Sequence, residues 1–246
     1  MKFLAALLLV SASLLAKADE NEWRPPFITT PPEVVERMLE LAGTRADDLV
    51  VDLGSGDGRI VIAAARKYGA RGLGIELDGK LVRRSRENAE AASVADKVRF
   101  VEGDVLVADL SQATVVTVYL LPALMGQLQA RFIDELAPGT RIVSHAFGMA
   151  GWAPDRSETV KLTERHPGQG DESTLHLWIV PANVRGLWRA PGMQLRIEQN
   201  YQQIDVQGAT RARLWGREIS WDGFRGRVEG NRIVGELGGR RIELNR

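Results

Sequence analysis

Apolar positions along the chain first recur at helical spacing, then run unbroken, and finally alternate. Val34, Val35, Met38, Leu39 and Leu41 follow Thr30-Pro31-Pro32-Glu33 and predict a helix. Thr30 is its expected cap, the prolines suit its first turn, Glu33 complements its dipole, and Gly43 stops it. Residues 49–53 read as a buried strand, 60–68 as a helix stopped by Gly69, and 72–76 as a second strand. A charged helix over 81–92 and strands over 98–101 and 113–121 come next. Then follow a helix over 122–136, closed by Pro138-Gly139, and a fifth strand over 141–146. Strands joined by helices imply right-handed crossovers and a parallel sheet covered on both faces. Residues 160–164 and 174–180 alternate without a helix between them, which predicts an antiparallel hairpin at one edge. The expectation is an α/β, doubly wound, mostly parallel sheet of seven strands.

From Met193 onward the period is two, punctuated by Gly208, Gly216, Gly223, Gly226, Gly230, Gly235 and Gly238-Gly239. Residues 194–199, 212–215, 218–221 and 240–244 read as strands of a small antiparallel meander. Residues 183–192, ending in Pro191-Gly192, are the expected linker. The organisation is thus a leader over 1–18, a main domain over 19–184 and a β-rich module over 193–246. So small a module is marginal alone and is expected to dock on the main domain or on a partner.

Charge balances at 32 basic and 32 acidic residues, so no long-range field indicates nucleic acid, although a local basic patch is compatible with that total. The absence of cysteine excludes disulfides, thiolate zinc sites and cysteine nucleophiles. Lys2, an apolar run over 3–16 and Ala16-Lys17-Ala18 fit a secretory signal peptide. The expected location is therefore exported, periplasmic or membrane-associated, with cytoplasmic as the alternative. Nothing in the sequence fixes the oligomeric state.

Asp52-Leu53-Gly54-Ser55-Gly56-Asp57-Gly58-Arg59 lies between a predicted strand and a predicted helix, where glycines let backbone approach a ligand. Glu76 ends the second strand, where a carboxylate can accept from both hydroxyls of a ribose. A dinucleotide fingerprint reads G-x-G-x-x-G, whereas this loop reads G-x-G-x-G behind an acid. Asp52 would repel a pyrophosphate but suits a cationic amino-acid moiety. With Glu76 and with Gly103-Asp104-Val105 after strand three, the pattern resembles the seven-stranded S-adenosylmethionine-dependent methyltransferases. That resemblance implies cofactor contacts from Thr30, Asp52, Gly54, Ser55, Gly56, Asp57, Gly58, Glu76 and Asp104, with Asp104 taking the adenine amino group.

Phe27-Ile28-Thr29-Thr30-Pro31, Tyr119-Leu120-Leu121-Pro122 and Pro138-Gly139-Thr140-Arg141-Ile142-Val143-Ser144-His145 are similar to one branch of that family. The branch includes bacterial proteins and the mitochondrial lysine methyltransferases of the adenine nucleotide translocase and an ATP synthase subunit. The similarity spans about residues 27–181 and implies a protein lysine as acceptor. Ala146 and Gly148 stand where many bacterial relatives carry acids, a departure that bears on the substrate. Tyr119 and Pro122 are the expected lining of the acceptor channel, Tyr119 reads equally well as a core aromatic, and His145 is either a base or a buried histidine satisfied by a neighbour. His166 and His176 lack metal-ligand spacing, and Trp188, Trp215 and Trp221 fit the core of the β module. S-adenosylmethionine is made in the cytoplasm, so the leader also motivates an alternative: an exported binding protein that keeps the fold without turnover.

Overall fold

The computed structural model describes residues 28–166 and 170–246, so the leader reading at 1–18 lies outside the described residues. The first unit runs α1 (Pro32–Leu41), β1 (Leu49–Leu53), α2 (Arg59–Tyr68), β2 (Arg71–Glu76), α3 (Gly79–Ala91), β3 (Val98–Glu102), β4 (Val115–Val118), α4 (Pro122–Glu135), β5 (Arg141–His145), β6 (Arg156–His166) and β7 (Gly170–Ile179). Its seven strands are ordered β3-β2-β1-β4-β5-β7-β6, parallel through β5 and antiparallel in the last two pairs. The order reverses between β1 and β4, which places the ligand crevice at the carboxyl ends of those strands.

Successive strand residues serve opposite layers, which is why the central strands are apolar throughout. Val50, Val115 and Val143 pack under α1, α2 and α3. Val51, Val116 and Ile142 pack under α4, beside Trp152 and Trp178. α1 buries Val34, Val35, Met38, Leu39 and Leu41 as expected. It ends with Gly43 at φ +61°, with Thr44 N–H donating to the Leu39 carbonyl at 3.0 Å and Gly43 N–H to that of Glu40 at 2.9 Å.

Five expectations are corrected, one of them in the β module, where Trp215 is exposed instead of lying in the core with Trp188 and Trp221. Pro31 occupies the α1 N-cap position and no side chain caps the helix. The Thr30 hydroxyl is hydrogen-bonded to His145 instead, a tertiary partner that outcompetes the local one. β4 is shorter than 113–121, because Ala113 N–H closes a turn onto Leu110 and Tyr119–Leu121 leave the ladder. β5 stops at His145 because Ala146 turns to φ +69°. The stretch 183–192 is not a linker but contains β8 (Gly186–Ala190), held by the fully buried Trp188.

The second sheet adds β9 (Met193–Asn200), β10 (Gln203–Val206), β11 (Arg213–Trp215), β12 (Glu218–Trp221), β13 (Phe224–Glu229), β14 (Arg232–Leu237) and β15 (Arg240–Asn245). Its order is β10-β9-β8-β15-β14-β13-β12-β11, every pair antiparallel. Pro191-Gly192 forms the two-residue turn between β8 and β9. Trp188, Ile197, Trp221, Phe224 and Ile233 fill one face. This sheet docks on the first unit. Tyr201 stacks on Trp152 at 5.0 Å and 4°, and Gln129 Nε2 donates to the Tyr201 hydroxyl at 2.8 Å. Trp152 Nε1 donates to Gln202 at 2.9 Å, and Ala182 N–H donates to the Gly216 carbonyl at 2.7 Å.

Candidate cofactor and acceptor site

The loop after β1 turns through three left-handed glycines, Gly54 (φ +76°), Gly56 (φ +54°) and Gly58 (φ +80°). Gly54 N–H and Ser55 N–H both donate to the Ile75 carbonyl, at 2.9 and 3.0 Å, and pin the loop to the end of β2. Gly58 also answers a lack of room. A Cβ there would lie 2.6 Å from the Phe100 ring and 2.8 Å from Ser85 Cβ. The loop then enters α2 with the Asp57 carbonyl accepting from Asn88 Nδ2 at 2.9 Å.

Glu76 meets this loop directly. Its Oε2 accepts from Gly56 N–H at 2.8 Å and its Oε1 from Asp78 N–H at 3.0 Å. Both oxygens are oriented by backbone and keep lone pairs for further donors. Gly103 N–H donates to the Glu76 carbonyl at 2.9 Å and brings the β3 loop alongside. In that loop Asp104 is exposed, with Oδ1 accepting from Leu106 N–H at 2.8 Å.

Asp52 is buried beneath the loop and accepts from the Thr117 hydroxyl at 2.7 Å. Burial pushes its carboxyl up to about 7; the Thr117 bond pulls the other way, and Glu76 and Asp57 reinforce the rise. Asp57 differs. Burial raises it, but a bidentate grip from Arg59, at 2.9 Å to Nε and 2.6 Å to Nη2, leaves it below the usual carboxylate range. Arg59 Nη1 also donates to the Thr30 carbonyl at 2.8 Å and ties the segment before α1 to the glycine loop.

The loop after β4 closes on the same place. Leu120 Cδ2 would lie 3.0 Å from a Cβ on Gly54, so Tyr119–Leu121 borders the glycine loop. The Tyr119 ring packs on His145 with centroids 4.1 Å apart, and Phe147 lies beyond it at 6.3 Å. Pro122 is exposed at the start of α4. His145 is completely buried, with Nδ1 3.2 Å from Thr30 Oγ1 and Nε2 3.1 Å from Ser173 Oγ. Hydrogen bonds at both ring nitrogens favour the satisfied-histidine expectation over a general base.

Sequence reasoning missed Arg59, Thr117 and Ser173. Thr117 had a signal: it is the one polar residue in the apolar run Val115-Val116-Thr117-Val118, and the sheet register sets it opposite Asp52. Arg59 adjoins the glycine motif and reads locally as a helix-start residue, while Ser173 meets His145 only through the sheet. Among the described residues no cluster of His, Asp or Glu fits a metal ion.

The arrangement suits a nucleoside bearing a cationic amino-acid tail. The glycines supply a cradle without Cβ atoms, and Glu76 offers an oriented carboxylate for a diol. The Ser55 hydroxyl is buried without a hydrogen-bond partner. Asp52 is a buried carboxyl that would balance a positive charge placed beside it.

Comparison with known proteins agrees. Residues 52–156 match the ANTKMT methyltransferase domain family. A protein-lysine N-methyltransferase of Saccharolobus islandicus is 38% identical over 156 residues, covering 63% of this chain and 93% of that protein. A mouse lysine N-methyltransferase named for an ATP synthase subunit is 36% identical over 132 residues, covering 54% of this chain and 53% of its own length. The chain therefore spans about half of that mouse relative. A Salinibacter ruber crystal structure, described as an RNA methyltransferase with S-adenosyl-L-homocysteine, is 50% identical with a TM-score of 0.58. That match covers 64% of this chain and 96% of the other. These relatives do not favour a fold kept without turnover.

Proposed function

The chain belongs to the S-adenosylmethionine-dependent methyltransferases of the ANTKMT domain family, and we propose on that premise that its acceptor is a lysine amine of a protein. The observation that carries the reading is the contact between Leu120 and Gly54, which sets the Tyr119 loop against the cofactor cradle. The names of the Saccharolobus and mouse relatives support lysine, whereas that of the Salinibacter protein names RNA. Charge favours protein. Residues 1–184 carry 20 basic against 25 acidic side chains, a poor surface for a phosphodiester backbone.

The bound cofactor supplies a methyl group on a cationic sulfonium. Glu76, its angle fixed by Gly56 and Asp78, would accept from the ribose hydroxyls. Gly54, Ser55, Gly56 and Gly58 would bring backbone against the cofactor's amino-acid end, and Asp52 would balance its positive charge. Asp57 acts through its carbonyl and its ion pair with Arg59, and Arg59 fixes Thr30 at the rim. Asp104, exposed in the loop after β3, would take the adenine amino group. Tyr119, Leu120 and Pro122 line the acceptor's approach, exclude water and align the amine for an in-line displacement.

The amine must arrive neutral, and desolvation beside a cation lowers its pKa enough to release the proton to solvent. His145 serves as a positioning residue: it carries Tyr119 on its face and is anchored by Thr30 and Ser173.

The test is transfer from methyl-labelled S-adenosylmethionine into a cell extract, followed by protease or ribonuclease digestion. Label in methyl-lysine of protease-sensitive material is expected; label confined to ribonuclease-sensitive material would overturn the acceptor. Export belongs to the same proposal, supported by Lys2, the apolar run and Ala16-Lys17-Ala18. Fractionation of the tagged chain should find it processed and outside the cytoplasm, and an unprocessed cytosolic product would remove that part.

A further inference from the structure

The balanced total charge divides unevenly. Residues 185–246 hold twelve arginines and no lysine against seven carboxylates, so the second sheet is basic through arginine alone. An open cavity of about 1020 Å³ is bordered by core-face residues such as Leu214 and Ile219 and by outward residues such as Arg213, Ser220 and Arg225. The register shows how the charges lie there. Ser220 on β12 is paired with Arg213 on β11 and with Arg225 on β13, so the two arginines flank it on one face. Two strand spacings separate their backbones, about 10 Å.

Trp215, 50% exposed, lies two residues beyond Arg213 on the same face. Arg227 is held by Glu218, whereas no carboxylate among the described residues forms an ion pair with Arg213 or Arg225. Glu236, paired in register with Arg225, makes no ion pair with it. The face thus presents two uncompensated guanidinium groups around a hydroxyl, beside an exposed indole, in a concavity.

We propose that this groove docks an acidic segment of a partner protein, with Arg213 and Arg225 taking its carboxylates and Trp215 packing against its backbone or an apolar neighbour. Arginine and tryptophan, with lysine excluded, is the composition of protein-recognition hot spots. Arginine's planar fork also matches a carboxylate bidentately. Glu218 is already neutralised by Arg227, so the free positive charge of the groove is that of Arg213 and Arg225 alone, which matches the few carboxylates of a short acidic segment rather than a continuous phosphodiester backbone. Gln202 lines the groove and also bonds Trp152 and the Ala153 carbonyl, so a segment seated there is held against the catalytic unit. The inference does not depend on lysine being the methyl acceptor.

The experiment is fluorescence anisotropy of a labelled Glu/Asp-rich dodecapeptide titrated with the full chain at low ionic strength. Labelled oligouridylate and anionic phospholipid vesicles are titrated in parallel. Peptide binding is expected to weaken about tenfold in Arg213→Ala/Arg225→Ala, to weaken with salt, and to recover in part in Arg213→Lys/Arg225→Lys. S-adenosylmethionine affinity should not change in these variants, which shows that they fold. The proposal fails if the wild-type chain does not bind the peptide or if the double alanine variant binds it equally well. It also fails if oligouridylate or vesicles are preferred through the same two arginines.

Discussion

Thr117 on β4 donates its hydroxyl hydrogen to Asp52 on β1 across the ladder that joins them, at 2.7 Å, in a place closed to solvent. One neutral hydrogen bond does not offset the cost of burying a carboxylate, so the Asp52 carboxyl rises to about 7. The cofactor-free protein therefore holds a proton there that its unfolded chain, with an ordinary carboxyl near 3.8, gives up.

The sign of the pH dependence follows. A carboxyl raised in the folded state contributes its full stability below the unfolded pKa and loses it as pH climbs to about 7. Thermal stability of the cofactor-free wild type should fall between pH 4 and 7 relative to Asp52→Asn and run parallel to it above that range. A cation placed beside Asp52 favours the ionised form, so cofactor binding below pH 7 should release a proton. Calorimetric titration in two buffers of different ionisation enthalpy reads that proton directly, and equal heats in both would remove Asp52 from the cationic end of the site.

Glu76 is oriented by two backbone donors, so its loss acts on affinity through geometry as well as charge. Hydrogen bonds to a charged group contribute about 1.5–3 kcal/mol. Glu76→Ala should accordingly weaken S-adenosylmethionine binding about 10- to 100-fold, measured by calorimetry. Unchanged affinity would take the ribose assignment away from Glu76.

Gly58 combines a left-handed backbone with a filled neighbourhood, and each alone penalises a side chain. The Cβ of Gly58→Ala meets Phe100 and Ser85, and the αL conformation adds about 1–2 kcal/mol. Chemical denaturation should show a loss of about 2–4 kcal/mol for Gly58→Ala. Phe100→Leu in that background should recover part of it, because the ring makes the closest contact.

How much of this was legible in the sequence depended on what each residue answers to. The strand 49–53 declares itself because both of its faces are buried, and the glycine loop because three left-handed positions strongly favour glycine. Thr30 reads as a cap in sequence because a rule about neighbours in the chain cannot see His145, 115 residues away. β8 was hidden because Pro191-Gly192 reads equally well as a linker end or a hairpin turn, and the burial of Trp188 decides between them. The ends of β4 were invisible for a related reason: an apolar run over 113–121 marks burial, not where the ladder stops. Whole-chain charge balance likewise gave no hint that the arginines of β11 and β13 stand on one face.

Tyr119 gives the sharpest test of the acceptor side. Its ring is set by the packing on His145, and that packing does not need the hydroxyl, so Tyr119→Phe should fold normally and bind S-adenosylmethionine as before. If the hydroxyl orients the incoming amine, kcat should fall about 10- to 100-fold with cofactor affinity unchanged. Tyr119→Ala opens the wall beside Leu120 and should raise KM as well. His145→Phe keeps a ring under Tyr119 but orphans the Thr30 and Ser173 hydroxyls in a buried place, which should cost about 2–4 kcal/mol of stability. In the positioning role, the His145→Phe enzyme keeps the shape of the wild-type pH–rate profile at a reduced rate. A profile that loses one limb with the imidazole would instead make His145 the base, with Thr30 and Ser173 holding its tautomer.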